Sequence, residues 1–145
     1  MAETKDGPGL LPATRALADG KNFAAMATLL PSGLIQNQVV WVGRDGDRLV
    51  VNTEVHRRKF RNLEADDRVT LLLIDAADPY HYAEVRGHVS EARTGPEARA
   101  NIDELSQKYN GVDYPAENIK TERVLLFVTP QRQTIVDQNR THEAD

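Results

Sequence analysis

The sequence predicts a mainly β fold, an antiparallel barrel of about six strands with helices inserted between them. Three observations predict it. Apolar runs at Phe23 to Leu30, Ile35 to Val42 and Leu49 to Thr53 follow one another with only turn residues between them. The turns are Pro31-Ser32-Gly33 and Arg44-Asp45-Gly46-Asp47, and Asp-Gly tolerates the positive φ that tight hairpins demand. A meander with two or three inserted helices fits an antiparallel barrel better than a parallel α/β sheet.

The elements follow in order. Residues 1–9 carry Gly7, Pro8 and Gly9 among charges and read as a frayed tail. Pro12, followed by Ala13, Ala16 and Leu17 and stopped by Gly20, indicates a short opening helix. After the three-strand meander, Val55, Phe60 and Leu63 share one face of a helix over 54–65, and Val69 to Ile74 makes a buried strand. Asp75 to Pro79 reads as a loop. In Ala83 to Val89 apolar and polar residues alternate, and Gly87 marks a bulge or a close approach. Gly95 and Pro96 open an amphipathic helix that runs to Tyr109 and ends at Gly111, with Ala98, Ile102 and Leu105 inward. A loop over 112–121 leads to a last strand, Val124 to Val128, which extends past Pro130 toward Ile135 and Val136. The expected organisation is one domain over 10–137, with a flexible tail over 138–145.

Composition narrows the chemistry. The 145 residues include 40% hydrophobic and 28% charged side chains, as in an ordinary globular domain. A formal net charge of -4 argues against a general grip on nucleic acid, so an anion site has to be local. With no cysteine there are no disulfides, thiolate metal sites or cysteine nucleophiles. No signal-like segment opens the chain and no stretch reaches the ~20 apolar residues of a membrane span, so a cytoplasmic location is expected.

The sharpest local signal is Val55-His56-Arg57-Arg58-Lys59-Phe60-Arg61-Asn62, four fixed positive charges at the start of a helix in an acidic protein. A helix N-terminus is already partly positive, so cations there are disfavoured. Arg57 and Arg61, four apart, add a like-charge repulsion of roughly 0.2–0.5 kcal/mol. A bound phosphate or carboxylate reverses these penalties, because N–H groups, dipole and guanidinium forks converge on it. A solvated basic face, with Glu54 pairing Arg58 and Arg61 pairing Glu64, explains the same charges equally well.

Other constellations carry less. His56, His81, His88 and His142 offer no metal-ligand spacing, and no metal is expected. Ser32 has no nucleophile-elbow pattern around it, and the Asp66/Asp67 and Asp75/Asp78 pairs lie near turns, where Asp is common for backbone reasons. Trp41, Tyr80, Tyr82, Tyr109 and Tyr114 are able to stack on a planar ring or simply to fill a core. Gln36, Asn37 and Gln38 are consecutive amides in a strand, so at least one points inward and needs a partner, either main chain at a barrel rim or the edge of a heteroaromatic ring.

These residues resemble the pyridoxamine 5′-phosphate oxidase-like superfamily and, within it, the actinobacterial deazaflavin-dependent oxidoreductases. The resemblance covers about 12–137 and rests on ordered fragments: Ala25-Met26-Ala27-Thr28, Val40-Trp41-Val42, Val51-Asn52-Thr53, Arg57-Arg58-Lys59 with Arg61-Asn62-Leu63, Asp67-Arg68-Val69 and Tyr82-Ala83-Glu84-Val85-Arg86-Gly87. It implies a six-stranded, FMN-binding-like split β-barrel. It also implies a homodimer with a cofactor in each of two interfacial clefts. Arg57, Arg58, Lys59 and Arg61 would then grip the cofactor phosphate, while Gln36, Gln38 and Val39 flank its ring with Asn52 and Thr53 close by. Many relatives carry a small residue or proline where this chain has Gln38 and Val39. The implied activity is hydride transfer between reduced coenzyme F420 and an unsaturated or quinone-like small molecule, with no side-chain catalyst required. The alternatives are an FMN enzyme on the same fold and a non-catalytic carrier of a flavin or deazaflavin.

Overall fold

The computed structural model describes residues 2–138; Met1 and 139–145 lie outside the described residues, and with them His142 and nearly all of the expected C-terminal tail. The first half runs β1 (Ala2–Asp6), α1 (Pro12–Asp19), β2 (Phe23–Leu29), β3 (Ile35–Trp41), β4 (Gly43–Asp45), β5 (Arg48–Glu54) and α2 (Arg58–Ala65). The second half runs β6 (Arg68–Asp75), β7 (Asp78–Arg93), α3 (Pro96–Asn110), a 3-10 turn (Ala116–Asn118) and β8 (Arg123–Asp137). One antiparallel sheet curls into a half-barrel in the order β3-β2-β6-β7-β8-β5-β4, with β1 also paired to β8. The mainly β antiparallel class expected from the sequence is therefore present, with eight strands rather than six.

The extra strands have identifiable causes. Residues 2–6, read from the sequence as a frayed tail, pair along β8 from Ala2 opposite Val136 to Asp6 opposite Arg132. Their side chains are almost all exposed, so main-chain bonding holds them and no apolar pattern advertises them. The run expected over 35–42 ends as β3 at Trp41, and Gly43–Asp45, including the first two residues of the expected turn, forms β4, closed onto β5 by a turn with Gly46 at φ 61°. The loop expected over 75–79 shrinks to two residues, because β6 continues to Asp75 and β7 begins at Asp78.

Gly87 shows why β7 and β8 run so long. A Cβ placed there would lie 2.2 Å from the main-chain oxygen of Thr129, opposite Pro130, where the register shifts. The two strands cross at contact distance, which only glycine permits. Inside the curl, Met26, Leu49, Val51, Leu71, Val85 and Leu126 form the main core. On its outside, α3 lays Ala98, Ile102, Leu105 and Tyr109 over Val50, Leu125, Phe127 and Trp41. Burial on both faces explains the unbroken apolar run of β8 over 124–128. Gly111, at φ 76°, ends α3 in the left-handed conformation and its N–H closes on Ser106 and Gln107.

Helix α2 begins at Arg58, not at residue 54. Glu54 completes β5 as a wholly buried residue, and Arg57 is the extended residue just before the helix. Asn62 fixes the helix to the sheet: its amide donates to Thr28 Oγ1 (3.0 Å) and Gln36 Oε1 (3.1 Å), and its oxygen accepts from Arg58 Nε (3.0 Å). The start of α2 is thereby held over the β2–β3 hairpin.

Candidate functional site

A cleft of about 270 Å³ opens where the ends of β3 and β5, the start of α2, one face of α3 and the start of β8 converge. One wall is aromatic. Phe23, Trp41 and Tyr114 line it, with Trp41 stacked on buried Tyr109 (5.2 Å, 8°) and met edge-on by Tyr114 (6.3 Å, 88°). The Tyr109 hydroxyl donates to the main-chain oxygen of Asn22 and accepts from Val42 N–H (3.2 Å), so Trp41 rests on a fixed ring. The rings present a flat apolar face, the shape a planar heteroaromatic ligand needs.

Cations line the same cleft. Arg57, Lys59 and Arg123 line the cleft together. Burial pushes the Lys59 ammonium below its ordinary pKa, and the charges of Arg57 and Arg123 push it further. Burial likewise lowers the Arg123 guanidinium, which is only 8% exposed and sits 5.2 Å over the Tyr114 ring. Lys59 Nζ also donates to Gln38 Oε1 (3.2 Å).

A single buried carboxylate answers these cations. Glu54 Oε1 accepts from the N–H groups of Lys120 (2.6 Å) and Thr121 (2.8 Å), and so pins the segment that leads into β8. Glu54 Oε2 has no hydrogen-bond partner although it is buried. It lies 3.7 Å from Arg123 and 3.8 Å from Arg57, close enough for charge attraction and too far for a hydrogen bond. Three cations against one carboxylate leave a positive excess in a cleft of an acidic protein. A donor set of this kind could hold a planar ring that carries an anion.

The residues expected from the sequence divide into two groups. Val39, Asn52, Thr53, Arg57 and Lys59 line the cleft. Gln38 reaches it only through Lys59. Gln36 is taken by Asn62, Arg58 turns back to Asn62, and Arg61 is exposed outside the lining. The expected Glu54–Arg58 pair is replaced by contacts to Arg57 and Arg123. Tyr80 is exposed and Tyr82 lies within β7; neither lines the cleft. Arg123, Ile102 and Phe23 line it without having been singled out. For Arg123 the available signal was one charge directly before a fully apolar strand.

Comparisons with known proteins place the fold and the family. Among solved structures, one of an F420 reductase is similar at 31% identity and a TM-score of 0.73, covering 82% of this chain and 94% of that one. A conserved hypothetical protein from Mycobacterium tuberculosis is similar in fold at 19% identity and a TM-score of 0.72, covering 97% and 92%. An FMN-binding protein from Syntrophomonas wolfei shares the fold at 13% identity and a TM-score of 0.62, covering 84% and 83%. No curated protein matches the sequence. The model of the family described as pyridoxamine 5′-phosphate oxidase matches residues 10–137, a span that contains every residue lining the cleft, and the chain belongs to that family.

Proposed function

We propose that this chain is an F420-dependent oxidoreductase that transfers a hydride between the reduced deazaflavin and an unsaturated or quinone-like small molecule. The observation that carries the reading is the convergence of Arg57, Lys59 and Arg123 with Trp41 and Tyr114 in one cleft. The 31% identity to an F420 reductase supports the deazaflavin over FMN. When bound, the cofactor supplies the hydride chemistry, and the protein's part is binding and orientation. Arg57 and Lys59 hold the phosphate, and Trp41, backed by Tyr109, sets the plane of the ring. The proton for the acceptor comes from solvent or from a tyrosine near the ring, and Tyr114 is the tyrosine in the cleft lining.

The cleft is open on the side of β3, where Val39 is 74% and Ile35 67% exposed. An apolar depression of about 230 Å³ between Ala27, Leu29, Ile35 and Val69 continues that surface. Exposed apolar residues on this scale fit a second copy of the chain that closes the cleft as a homodimer.

FMN is the second reading, favoured by the excess of two positive charges, which matches the dianion of a phosphate monoester. The test is a side-by-side titration of the purified protein with F420 and FMN. Tight F420 binding, weaker FMN binding and a loss of roughly 100-fold or more in the Arg57→Ala/Lys59→Ala double variant are expected, since two charge-assisted contacts disappear. A reversed preference moves the assignment to FMN, and binding without turnover of any acceptor moves it to a carrier.

A further inference from the structure

We infer that Arg123 is a third anion-binding residue of the cleft, that Asn52 is its positioning residue, and that the bound ligand presents two negative charges there. This rests on the cleft being the ligand site, and it assigns roles to residues of the β5–β8 seam rather than of α2.

Asn52 faces the cleft, yet its hydrogen bonds are already committed. Its Nδ2 donates to Ala98 O (2.8 Å) and Asn101 Oδ1 (3.0 Å), and its Oδ1 accepts from Arg123 Nε (2.8 Å). An amide so engaged holds a neighbour rather than reading a ligand. The neighbour is Arg123. Its guanidinium is fixed on three sides, by Asn52 through Nε, by the Tyr114 ring and by the charge of Glu54. A restrained fork gives up little conformational freedom when it binds.

The charges require a further partner. Arg123 is buried, and its counter-ion Glu54 is shared with Arg57 and stays outside hydrogen-bond range of both. A buried cation with half a partner is costly unless an anion completes it. Arg57, Lys59 and Arg123 against Glu54 leave two positive charges, so the completing ligand is a phosphate monoester dianion, or a phosphodiester accompanied by a carboxylate.

The test uses the full-length protein and binding titrations with F420, FMN and inorganic pyrophosphate at several salt concentrations. Arg123→Gln is expected to bind about 10- to 100-fold more weakly and with a shallower salt dependence, because one charge contact is gone. Arg123→Lys keeps the charge and the steeper salt dependence but recovers only part of the affinity, since lysine offers no Nε to Asn52. Asn52→Ala weakens binding several-fold and leaves the salt dependence unchanged, which a merely structural arginine would not produce. If Arg123→Gln folds and binds within twofold of wild type with the same salt dependence, the inference fails while the assigned function stands. Pyrophosphate binding that depends on Arg123, with no affinity for either cofactor, sustains the inference and removes the function. Binding of none of the three overturns both.

Discussion

Two buried polar hubs on opposite parts of β8 show how a structural polar group differs from a functional one. Gln133, wholly buried, accepts from Leu11 N–H (3.0 Å) and Thr14 Oγ1 (2.9 Å) and donates to Gly9 O (2.6 Å). It is neutral, and the segment leading into α1 answers it atom for atom. At the other hub, Glu54 and Arg123 carry full charges, lie 3.7 Å apart, and leave Glu54 Oε2 without a hydrogen bond. The first hub is complete within the chain. The second is left incomplete by the chain, and its Arg123 lines the cleft.

If that distinction is right, the hubs break in different ways. Gln133→Ala leaves buried Thr14 and half-buried Leu11 and Gly9 without their partner and loosens α1. A loss of about 3 kcal/mol or more of stability is expected, with ligand affinity unchanged in the fraction that remains folded. Chemical denaturation and a titration on the same sample separate the two effects. Glu54→Ala frees the N–H groups of Lys120 and Thr121 near the surface, where water partly replaces the carboxylate, and a smaller loss of about 2 kcal/mol is expected. Here affinity changes as well, since the segment that delivers Arg123 loses its anchor. Equal effects of both variants on binding would erase the contrast.

The same contrast governs how much the sequence revealed. Hairpin turns, the caps of α3 and the alternation over 83–89 are local patterns, and each lies where the periodicity placed it. The basic segment was visible because its charge conflicts with its position at a helix start. Which of its members face the cleft was not visible, since Arg57 precedes the helix and Asn62 draws Arg58 away. The helix starts four residues later than expected, which takes Arg57 out of its first turn and into extended backbone. Strand β1 was missed because main-chain pairing leaves no side-chain pattern, and Gln133 was missed because its partners lie more than a hundred residues away in sequence. Arg123 belongs to the same class: an isolated arginine acquires meaning only when β8 pairs with β5 and sets it beside Asn52 and Glu54.

The mildest change is the sharpest test. Glu54→Gln keeps an oxygen for Lys120 and Thr121 N–H but removes the charge, so it alters the cleft's electrostatics with a smaller stability cost than Glu54→Ala. With the carboxylate gone from beside Arg57 and Arg123, a few-fold tighter binding of an anionic ligand is expected, the opposite sign to the losses expected for Arg57→Ala/Lys59→Ala and Arg123→Gln. The pH dependence of stability follows the same charge. Burial alone would raise the Glu54 carboxyl, but the N–H groups of Thr121 and Lys120 and the Arg123 charge outweigh it and hold its pKa below the ordinary glutamate value. A depressed folded pKa means the carboxylate stabilises the protein fully above the unfolded value, and the stabilisation is lost as pH falls through the folded one. Glu54→Gln removes that titration, so its acid-unfolding curve falls less steeply than wild type in the region below the ordinary glutamate value. Parallel acid curves for the two proteins would show that the carboxylate's charge does not stabilise the fold, and would leave its charge relation to Arg57 and Arg123 to be read from ligand binding alone.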